Sequence, residues 1–352
     1  MVTLPLDKPA AEPGATTAKQ TMQALVYLGP GQKALQERPI PEIAAATDAI
    51  VRIRKTTICG SDLRILDGDV PTCAPGRILG HEGVGTIEAV GTGVIGFHAG
   101  DRVMISCISS CAKCDYCRQG LYSQCATGGW ILGNQIDGTQ AEYVRIPHAD
   151  SSLYAIPDGV DEEALVMLSD VLPTGFECGV VGGKIQPDAT VAIVGAGPLG
   201  LAVLLTARFH SPAQIIAIDN DNHRLGVATR LGATHTINGS AGNAAEELMA
   251  YTDGRGVDTA IETVGTPDML LLCRDITVPG GTIAAVGMHG VDTGAQPVDT
   301  VSAPMLLRAI QTKEIDPTQL ISHHFRLRRV EDAYDMFARS AKTQALKVII
   351  SA

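Results

Sequence analysis

The rhythm of hydrophobic and polar positions changes once along the chain. From Gln23 to about Pro157, short apolar runs alternate with Gly, Pro and Asp turn signals. This pattern predicts a mostly β region with few helices. The clearest apolar runs in it are Ala49–Ile53, Gly83–Val90 and Arg102–Ile105.

From Ala189 to about Gly287, short apolar runs alternate with segments of helical length, which predicts βαβ units and a parallel sheet. A last helix, Val330–Ser340, and a last strand, Ala345–Ile350, form a tail that we expect to return to the first domain. A ligand cleft between two domains follows from this division. The predicted strands are Thr190–Val194, Ile215–Asp219, Thr234–Ile237, Asp258–Ile261 and Gly281–Val286, and the predicted helices are Leu199–Phe209, Asn222–Leu231, Asn243–Tyr251 and Pro267–Arg274.

Composition indicates a soluble globular protein. The chain has 352 residues, more than one core usually holds, so two domains are expected. Its net charge of −11 disfavours nucleic acid and anionic membranes as partners. No run reaches the roughly 20 apolar residues of a membrane span. Met1–Gln20 lacks the pattern of a signal peptide, so we expect a poorly ordered tail on a cytoplasmic protein.

The nine cysteines are clustered and odd in number, which argues against a secreted disulfide framework. Four of them form the pattern Cys111-x2-Cys114-x2-Cys117-x7-Cys125. This spacing lets a short lobe surround one tetrahedral zinc ion, with four sulfur ligands at about 2.3 Å and no open position. We therefore predict a structural zinc site. Cys107 lies just upstream and is interpreted as a bystander.

A glycine-rich run over residues 191–200 follows a predicted strand directly and opens a predicted helix. In it, Gly195 allows a tight turn, Gly197 lets the backbone approach a pyrophosphate, and Gly200 lets helix and strand pack closely. Pro198 and Leu199 complete the loop at the helix N-terminus, where free N–H groups favour phosphate. The pattern predicts a dinucleotide site.

Asp219 ends the next predicted strand, 19 residues after Gly200. A carboxylate there can accept both ribose hydroxyls and would repel a 2′-phosphate, so NAD is favoured over NADP. Arg224 has two interpretations that the sequence leaves open. It either contacts the adenosine ribose or phosphate, or it is a solvated arginine on a helix surface.

A second set of donors is dispersed along the chain. Cys59, His81 and Asp170 each stand in a short polar motif. Each motif alone is weak evidence for a metal ligand, because a single residue of these types is usually structural. Together they offer one sulfur, one nitrogen and one oxygen donor. Three such ligands typify a catalytic zinc site with one position open for substrate.

These motifs in this order resemble the zinc-dependent medium-chain alcohol dehydrogenases, from about Gln23 to Ile350. The resemblance rests on the glycine-rich loop, the four-cysteine lobe and three further motifs, which are Cys-Gly-Ser-Asp at 59–62, Gly-His-Glu-Gly-Val-Gly at 80–85 and Pro-Thr-Gly at 173–175. It implies an α/β fold in which a GroES-like β-barrel catalytic domain accompanies a Rossmann domain with a doubly wound parallel sheet.

The implied domain boundaries divide the chain four ways. Residues 1–21 form a flexible tail, and residues 22–176 and 316–352 form the catalytic domain. Its zinc lobe lies near 107–126, and residues 177–315 form the NAD-binding domain. The motifs are closest to those of bacterial secondary-alcohol dehydrogenases, so the resemblance also implies a homo-oligomer, with a tetramer favoured over a dimer.

The resemblance assigns the catalytic zinc to Cys59, His81 and Asp170, which gives two zinc ions per chain with the lobe. Glu82 resembles the mobile glutamate of the family, an alternative zinc ligand. Asp62 resembles the carboxylate that orients the ligating histidine, a partner that such an imidazole usually has.

The implied reaction is hydride transfer between a small alcohol, aldehyde or ketone and NAD(H). Ser61 is expected to receive the alcohol proton, and Thr174 is expected near the nicotinamide. Many family members carry a relay histidine five residues after the zinc cysteine, but this chain has Arg64, which cannot act as a base. We predict that Arg64→His alters the pH profile of alcohol oxidation, and an unchanged profile would remove Arg64 from the proton route.

The substrate pocket is predicted from fewer signals. Trp130, the one tryptophan, is expected in the pocket wall or in the core, and Met288 and His289 are expected to face the cleft. Two other functions remain open: an NAD-dependent polyol or threonine dehydrogenase, and a non-catalytic protein on the same fold. The presence of all three zinc-ligand residues argues against the non-catalytic reading.

Overall fold

The computed structural model describes residues 20–288 and 297–352. The predicted tail up to residue 19 and the prediction for His289 lie outside these ranges.

The N-terminal region is built from antiparallel strands, as its turn-rich apolar pattern predicts. The strand Ala49–Thr57 shows why: Val51 and Ile53 are buried, whereas Arg52 and Arg54 between and after them are exposed. This period of two lets one face join a core while the other meets water. The strands of this region are β1 Thr21–Gly29, β2 Gln32–Pro39, β3 Ala49–Thr57, β4 Gly83–Val90, β5 Arg102–Ile105, β6 Tyr143–Ile146 and β7 Leu153–Ala155.

The central region forms a separate parallel sheet. Its middle strand, Thr190–Val194, is buried almost throughout, because helices cover both faces of a doubly wound sheet. The strand order is β10-β9-β8-β11-β12, and all four pairings are parallel. The predicted α/β class with a doubly wound sheet is confirmed. The strands are β8 Thr190–Val194, β9 Gln214–Asp219, β10 His235–Asn238, β11 Val257–Glu262 and β12 Thr277–Ala285.

The end of the chain returns to the first sheet. Strand β13 is Ile321–Arg326 and strand β14 is Lys347–Ser351, and β14 pairs antiparallel with β3. The resulting sheet has the order β13-β14-β3-β4-β5-β7, with β6 also paired to β3. Strand β13 was not predicted. The division of the chain at residues 177 and 315 stays a prediction, although strands on either side of this insert share one sheet.

The helices of the central region lie close to their predicted positions. The segment from 162 to 181 and the helix at 303–311 were not predicted. In the first, Ala164–Leu168 form a continuous buried apolar run that lacks a polar stripe. The helices are α1 Gly60–Asp67, α2 Asp115–Arg118, α3 Ala149–Ser152, α4 Glu162–Leu168, α5 Val171–Thr174, α6 Pro198–Ala207, α7 Asn222–Leu231, α8 Ala244–Tyr251, α9 Pro267–Ile276, α10 Ala303–Gln311, α11 Val330–Phe337 and α12 Ser340–Thr343, with a π-helix at Gly175–Val181 and 3₁₀ turns at Tyr122–Gln124, Arg208–His210, Gly239–Ala241, Pro317–Leu320 and Leu327–Arg329.

Within the described ranges, no single helix has the length and hydropathy to cross a membrane. One bent pair of helices, Glu162–Leu168 with Val171–Val181, is long and apolar enough when its two members are taken together.

One hydrophobic core joins the two sheets. It includes Val84 and Met104 of the first sheet, Leu168 of α4, and Ile193 and Leu204 of the second region. The two regions therefore meet over packed side chains, and the polar cluster described next lies beside this junction.

Candidate active site

Helix α1 fixes the position of Cys59. Cys59 is the N-cap of this helix, and its N–H donates to Asp62 Oδ2 at 2.9 Å while its sulfur faces the N–H of Asp62. This reciprocal capping satisfies two N–H groups that the first helical turn leaves without partners. The helix ends at Gly68, whose φ of 85° suits glycine. The capping therefore places the Cys59 thiol at a defined point beside the cavity.

The fold brings Cys59 together with three residues from distant parts of the chain. His81 and Glu82 directly precede β4, and Asp170 occupies the break between α4 and α5. Asp170 Oδ2 lies 3.7 Å from Cys59 Sγ and 3.4 Å from His81 Nε2. One donor atom from each of the four residues lies within 4.8 Å of the others. The predicted ligand residues thus form one cluster.

The charges of this cluster favour a cation at its centre. Burial by itself lowers the pKa of His81, but Asp170 and Cys59 outweigh it and raise that pKa well above its usual range. Burial likewise raises the pKa of Asp170, but the hydrogen bond and charge of His81 hold it well below its usual range. Ligands of a tetrahedral zinc ion lie roughly 3.3–3.8 Å apart, given the usual bond lengths. The two measured separations fall in this interval, so the residues fit zinc.

Glu82 is bound by a buried lysine. Lys347 Nζ donates to both carboxylate oxygens of Glu82, at 2.6 and 2.9 Å, and lies 3.4 Å from Ile58 O. Glu82 Oε1 is 4.0 Å from His81 Nε2. Burial raises the pKa of Glu82, whereas burial of Lys347 lowers its pKa and the charge of Glu82 raises it, with a net rise. No sequence pattern indicated a role for Lys347, since a lysine in a short strand usually faces solvent.

A buried chain of polar side chains extends behind His81. Asp62 Oδ1 lies 3.8 Å from His81 Nδ1 and has no hydrogen-bond partner among the described residues. Gln140 Nε2 donates to Asp62 Oδ2 at 3.0 Å and to Thr57 O at 3.1 Å. Tyr334 donates its hydroxyl to Gln140 Oε1 at 2.8 Å. No sequence motif indicated a role for Gln140 or Tyr334, because neither stands in a recognisable site pattern.

The four predicted lobe cysteines also form a cluster. Their sulfur atoms lie within 4.8 Å of one another, with Cys111 Sγ 4.0 Å from Cys117 Sγ. Cys125 Sγ accepts the N–H of Cys111 at 3.2 Å, and Cys111 Sγ accepts the N–H of Cys114 at 3.4 Å. Four thiol sulfurs at these separations fit a tetrahedral zinc ion.

The lobe thiols differ in acidity. Burial raises the pKa of Cys111, but N–H donors from Lys113 and Cys114 outweigh it and lower that pKa to about 6. Burial and the neighbouring thiols of Cys114 and Cys125 raise the pKa of Cys117 to about 12. Donated N–H groups stabilise the thiolate form, which is the form that binds metal.

Cys107 lies away from the lobe sulfurs. It is buried, lines the cavity, and donates its N–H to Ser169 O at 3.1 Å. Burial raises the pKa of its thiol well above the usual range, and the charge of Asp170 adds to this rise.

The glycine-rich loop has the backbone that its sequence predicts. Gly195 has a φ of 102°, which a side chain would strain, and a Cβ on Gly200 would overlap Gly195 O. Gly197 is the N-cap of α6, and Pro198 and Leu199 form its first turn. These three residues line the cavity between the two regions, and a helix start with free N–H groups favours phosphate.

Asp219 stands at the end of β9, next to the glycine-rich loop. Its Oδ2 accepts the N–H of Ala196 at 2.7 Å and lies 3.8 Å from Arg224 Nη1. Arg224 also donates to Ser340 Oγ at 2.9 Å and is partly buried. Both residues border the groove where the adenosine end of a dinucleotide is expected.

A cavity of about 400 Å³ lies between the two regions and is lined by both. Thr174 donates its hydroxyl to Asp170 Oδ1 at 2.9 Å. The ring of Trp130 meets His81 edge to face, with 5.9 Å between centroids. Ser61 Oγ and Trp130 Nε1 are buried with no hydrogen-bond partner among the described residues. Predicted site residues that line the cavity are Cys59, Ser61, His81, Trp130, Asp170, Thr174, Leu199 and Met288, whereas the predicted Asp62 and Glu82 are buried and are not among its lining residues.

Arg64 reaches from α1 to the parallel sheet. Its Nη2 lies 3.3 Å from Met288 O and 3.5 Å from Gly265 O, and its Nη1 binds Asp69 at 3.0 Å. It therefore sits in the cavity wall and bridges the two regions through main-chain oxygens.

Comparison with known protein families gives two matches. Residues 45–158 match the family described as the alcohol dehydrogenase GroES-like domain. Residues 198–322 match the zinc-binding dehydrogenase family. The first match spans the donors at 59–62 and 81–82 and the whole lobe, and the second begins within the glycine-rich loop.

Individual relatives cover nearly the whole chain. An alcohol dehydrogenase of Cupriavidus necator is 36% identical over 94% of this chain and 98% of its own length. The apo structure of zinc-dependent alcohol dehydrogenase 2 from Streptococcus pneumonia superposes with a TM-score of 0.88 at 48% identity, over 94% of this chain and 98% of that one. An alcohol dehydrogenase of Escherichia coli CFT073, solved with NADH, has a TM-score of 0.81 at 28% identity, over 94% and 99% of the two chains.

Proposed function

Because the chain belongs to the zinc-dependent medium-chain alcohol dehydrogenase family, we propose that it interconverts small alcohols with aldehydes or ketones by hydride transfer with NAD(H). The observation that carries this proposal is the shared cavity. The Cys59–His81–Asp170 cluster and the loop residue Leu199 line the same space.

Cys59, His81 and Asp170 would hold the catalytic zinc. Bound there, zinc supplies a positive charge that favours the deprotonated alcohol and polarises a carbonyl in the reverse direction. Thr174 fixes Asp170 by donating to its second carboxylate oxygen. Asp62 presents an oxygen without another partner among the described residues toward His81 Nδ1 and would fix the orientation of the imidazole.

Glu82 would act as an alternative ligand only after leaving Lys347. Both of its oxygens are engaged by the lysine ammonium. A buried ion pair of this kind is costly to break unless a new charge replaces the lost partner. A cation in the cluster supplies such a charge, which makes exchange of Glu82 between the two partners feasible.

Ser61 is proposed to take the proton of the alcohol. Its Oγ is buried, lines the cavity and has no hydrogen-bond partner in the described part of the chain, so it can accept from a substrate hydroxyl. Arg64 stays protonated and cannot receive that proton. The proton is therefore proposed to leave through water or a ribose hydroxyl of the cofactor, while Arg64 bridges the cavity walls.

NAD would lie along the glycine-rich loop, with its pyrophosphate at Gly197 and the start of α6. The Asp219 carboxylate favours two ribose hydroxyls over a 2′-phosphate. Arg224 is close enough to Asp219 for its positive charge to offset that of the carboxylate. The preference for NAD over NADP therefore depends on which of these two side chains faces the ribose. The relative solved with NADH supports the choice of NAD.

The four-cysteine lobe would hold a second, structural zinc ion, which gives two per chain. All four of its ligands come from the protein, so no position is left for substrate. We also propose a reducing cytoplasmic location, because an odd number of cysteines clustered in a metal-binding pattern argues against a secreted disulfide framework.

We also propose a homo-oligomer, with a tetramer favoured over a dimer. The supporting feature is strand β12, which ends the parallel sheet at the order β10-β9-β8-β11-β12 and pairs only with β11 among the described strands. Its Ile283 is 38% exposed. An unpaired strand edge with an exposed apolar side chain is a site for a second copy of the chain.

The test combines metal analysis with NADH formation across primary alcohols, secondary alcohols and polyols. We expect about two zinc ions per chain, one in each cluster, and turnover with NAD. Preferred turnover of a polyol or of threonine would select the alternative dehydrogenase. No turnover of any alcohol would favour a non-catalytic role, and preference for NADP would overturn the role of Asp219.

A further inference from the structure

Residues 297–302, here named the wall segment, bring the second region against the cavity. Pro297 and Val298 line the cavity, and Val298 packs with Ile108 and the buried Cys107. Thr300 has a φ of 60°, a left-handed conformation that is unusual for a β-branched residue. Such a conformation is unfavourable for a β-branched residue and persists where several contacts fix it.

Glu177 supplies most of those contacts. Its Oε2 accepts the N–H groups of Asp299 and Thr300 at 2.9 and 3.0 Å, and its Oε1 accepts the N–H and the hydroxyl of Ser302 at 2.7 and 2.6 Å. Four donors on one carboxylate fix the turn in a single shape. Glu177 lies in the π-helix Gly175–Val181, directly after Thr174, and π-helical turns occur frequently at functional sites.

Residues of the N-terminal region also form hydrogen bonds with the wall segment. Ser106 Oγ lies 2.9 Å from Thr300 Oγ1, and Tyr154 donates its hydroxyl to Thr300 O at 3.0 Å. Asp299 Oδ1 accepts the N–H of Ser123 at 2.7 Å. Ser123 lies between two lobe cysteines, so this bond connects the four-cysteine lobe directly to the wall of the cavity.

We propose that the wall segment determines which alcohols are accepted, and that Glu177 and the bond from the lobe to Asp299 are what position it. This inference rests on the proposed function. The lobe then has a second role besides stabilising the fold, because movement of Ser123 is transmitted through Asp299 to Val298. The segment acts on the part of the substrate that is remote from the reacting carbon.

The chemistry of the wall indicates which substrates respond. Ile108, Trp130 and Val298 present apolar surface, so an apolar substituent gains most from a wall in its correct position. An alcohol as small as ethanol reaches the zinc ligands without filling this space. Loosening the wall should therefore weaken binding of 1-hexanol or benzyl alcohol more than binding of ethanol.

The experiment uses two variants of the zinc-loaded full chain and one matched control. Asp299→Ala leaves the N–H of Ser123 without its acceptor, and Glu177→Gln places an amide NH₂ against two of the four donors. Asp258→Ala is the control, because Asp258 also accepts a backbone N–H in the same region, that of Thr190 at 2.8 Å, but lies outside the cavity.

We expect the KM for 1-hexanol to rise by about tenfold in both variants, while kcat and the KM values for ethanol and NAD change by less than about threefold. The control should leave kcat and all three KM values close to those of the wild type, even if it lowers thermal stability. Equal changes for ethanol and 1-hexanol, or unchanged values in both variants, would overturn the proposal.

A second readout is independent of activity. Trp130 is the single tryptophan of the chain and packs against the cluster that contains Val298. Acrylamide should quench its fluorescence more strongly in both variants than in the wild type or the control. If the wild type oxidised no alcohol, the proposed function would fail, and equal quenching in all four proteins would then overturn the wall proposal separately.

Discussion

Two cysteine-containing clusters occupy the catalytic region, and they are built in opposite ways. The lobe takes its four donors from the single segment Cys111–Cys125. The cavity cluster takes its donors from a helix N-cap at Cys59, an extended segment at His81 and a helix junction at Asp170. A local segment can surround a metal ion on all sides. Donors from three distant elements meet only where the fold leaves a cavity, and one side remains open.

The atoms that support the two clusters differ as well. In the lobe, sulfurs accept backbone N–H groups, as Cys125 and Cys111 do. In the cavity cluster, Cys59 also receives a backbone N–H, but Asp170 and Glu82 are held by the side chains of Thr174 and Lys347. Backbone support depends little on side-chain identity, whereas side-chain support can be removed by one substitution. The comparison therefore predicts that loss of the first cluster unfolds the lobe, whereas loss of the second abolishes chemistry.

The largest effect is expected from His81→Ala. Removing one of three cavity ligands should release the catalytic zinc, and the rate of NADH formation should fall by at least about 10³-fold, since a Lewis-acid metal contributes several kcal/mol. Zinc content should fall from two ions to one. The matched control is His98→Ala, because His98 has a side chain that is 83% exposed. Full activity with one zinc ion would contradict the assignment of chemistry to this cluster.

The second prediction tests the lobe with Cys117→Ser. Loss of one thiolate should release the structural zinc and lower the melting temperature by roughly 10 °C, since a structural zinc site contributes several kcal/mol to folding. The folded fraction should keep kcat within about tenfold of the wild type, because no lobe atom touches the reacting carbon. Calorimetry and metal analysis measure these effects.

The control for this prediction is Cys273→Ser. Cys273 is buried in the parallel-sheet region and belongs to neither cluster, so its substitution disturbs a core without touching metal. This variant should keep two zinc ions per chain. The same metal loss in both variants would mean that general destabilisation, and not ligand removal, releases the zinc.

The third prediction concerns side-chain support and uses Gln140→Met. Asp62 would lose the amide donor that fixes it, and zinc affinity at the cavity cluster should fall by about 10- to 100-fold, the usual effect of removing an outer-shell partner. Affinity at the lobe should not change. Competition with a coloured chelator resolves the two sites, and exposed Gln186→Met is the control. Equal weakening at both sites would contradict the contrast between backbone and side-chain support.

The same contrast explains what the sequence could predict. The lobe could be predicted because the spacing of its cysteines alone specifies four donors within one short segment. Strands β8 to β11 and helices α6 to α9 could be predicted because apolar runs and amphipathic segments alternate in this part of the sequence. Residues 162–181 could not be predicted in this way. Leu165 and Leu168 belong to a short run of buried apolar residues, and a buried helix and a buried strand give the same continuous apolar pattern over such a length.

The cavity cluster required more than its own residues. Cys59, His81 and Asp170 became recognisable through motifs that the family shares, not through spacing. Lys347 and Tyr334 stayed hidden, because their partners Glu82 and Gln140 lie 265 and 194 positions away in the chain. Contacts over such separations are created by the sheet that joins β14 to β3, which no local pattern specifies.

The smallest effect is expected from Cys107→Ser, which tests whether the two clusters are separate. Cys107 lies four residues before the first lobe cysteine and lines the cavity, yet neither donor set includes it. Serine is nearly isosteric, so both zinc ions should remain and stability should fall by only about 1–2 kcal/mol, the cost of burying a hydroxyl. Cys111→Ser is the matched contrast, since the same change four residues later should release the lobe zinc. Loss of either ion in Cys107→Ser, measured by metal analysis of the folded protein, would show that its thiol is a ligand of that site.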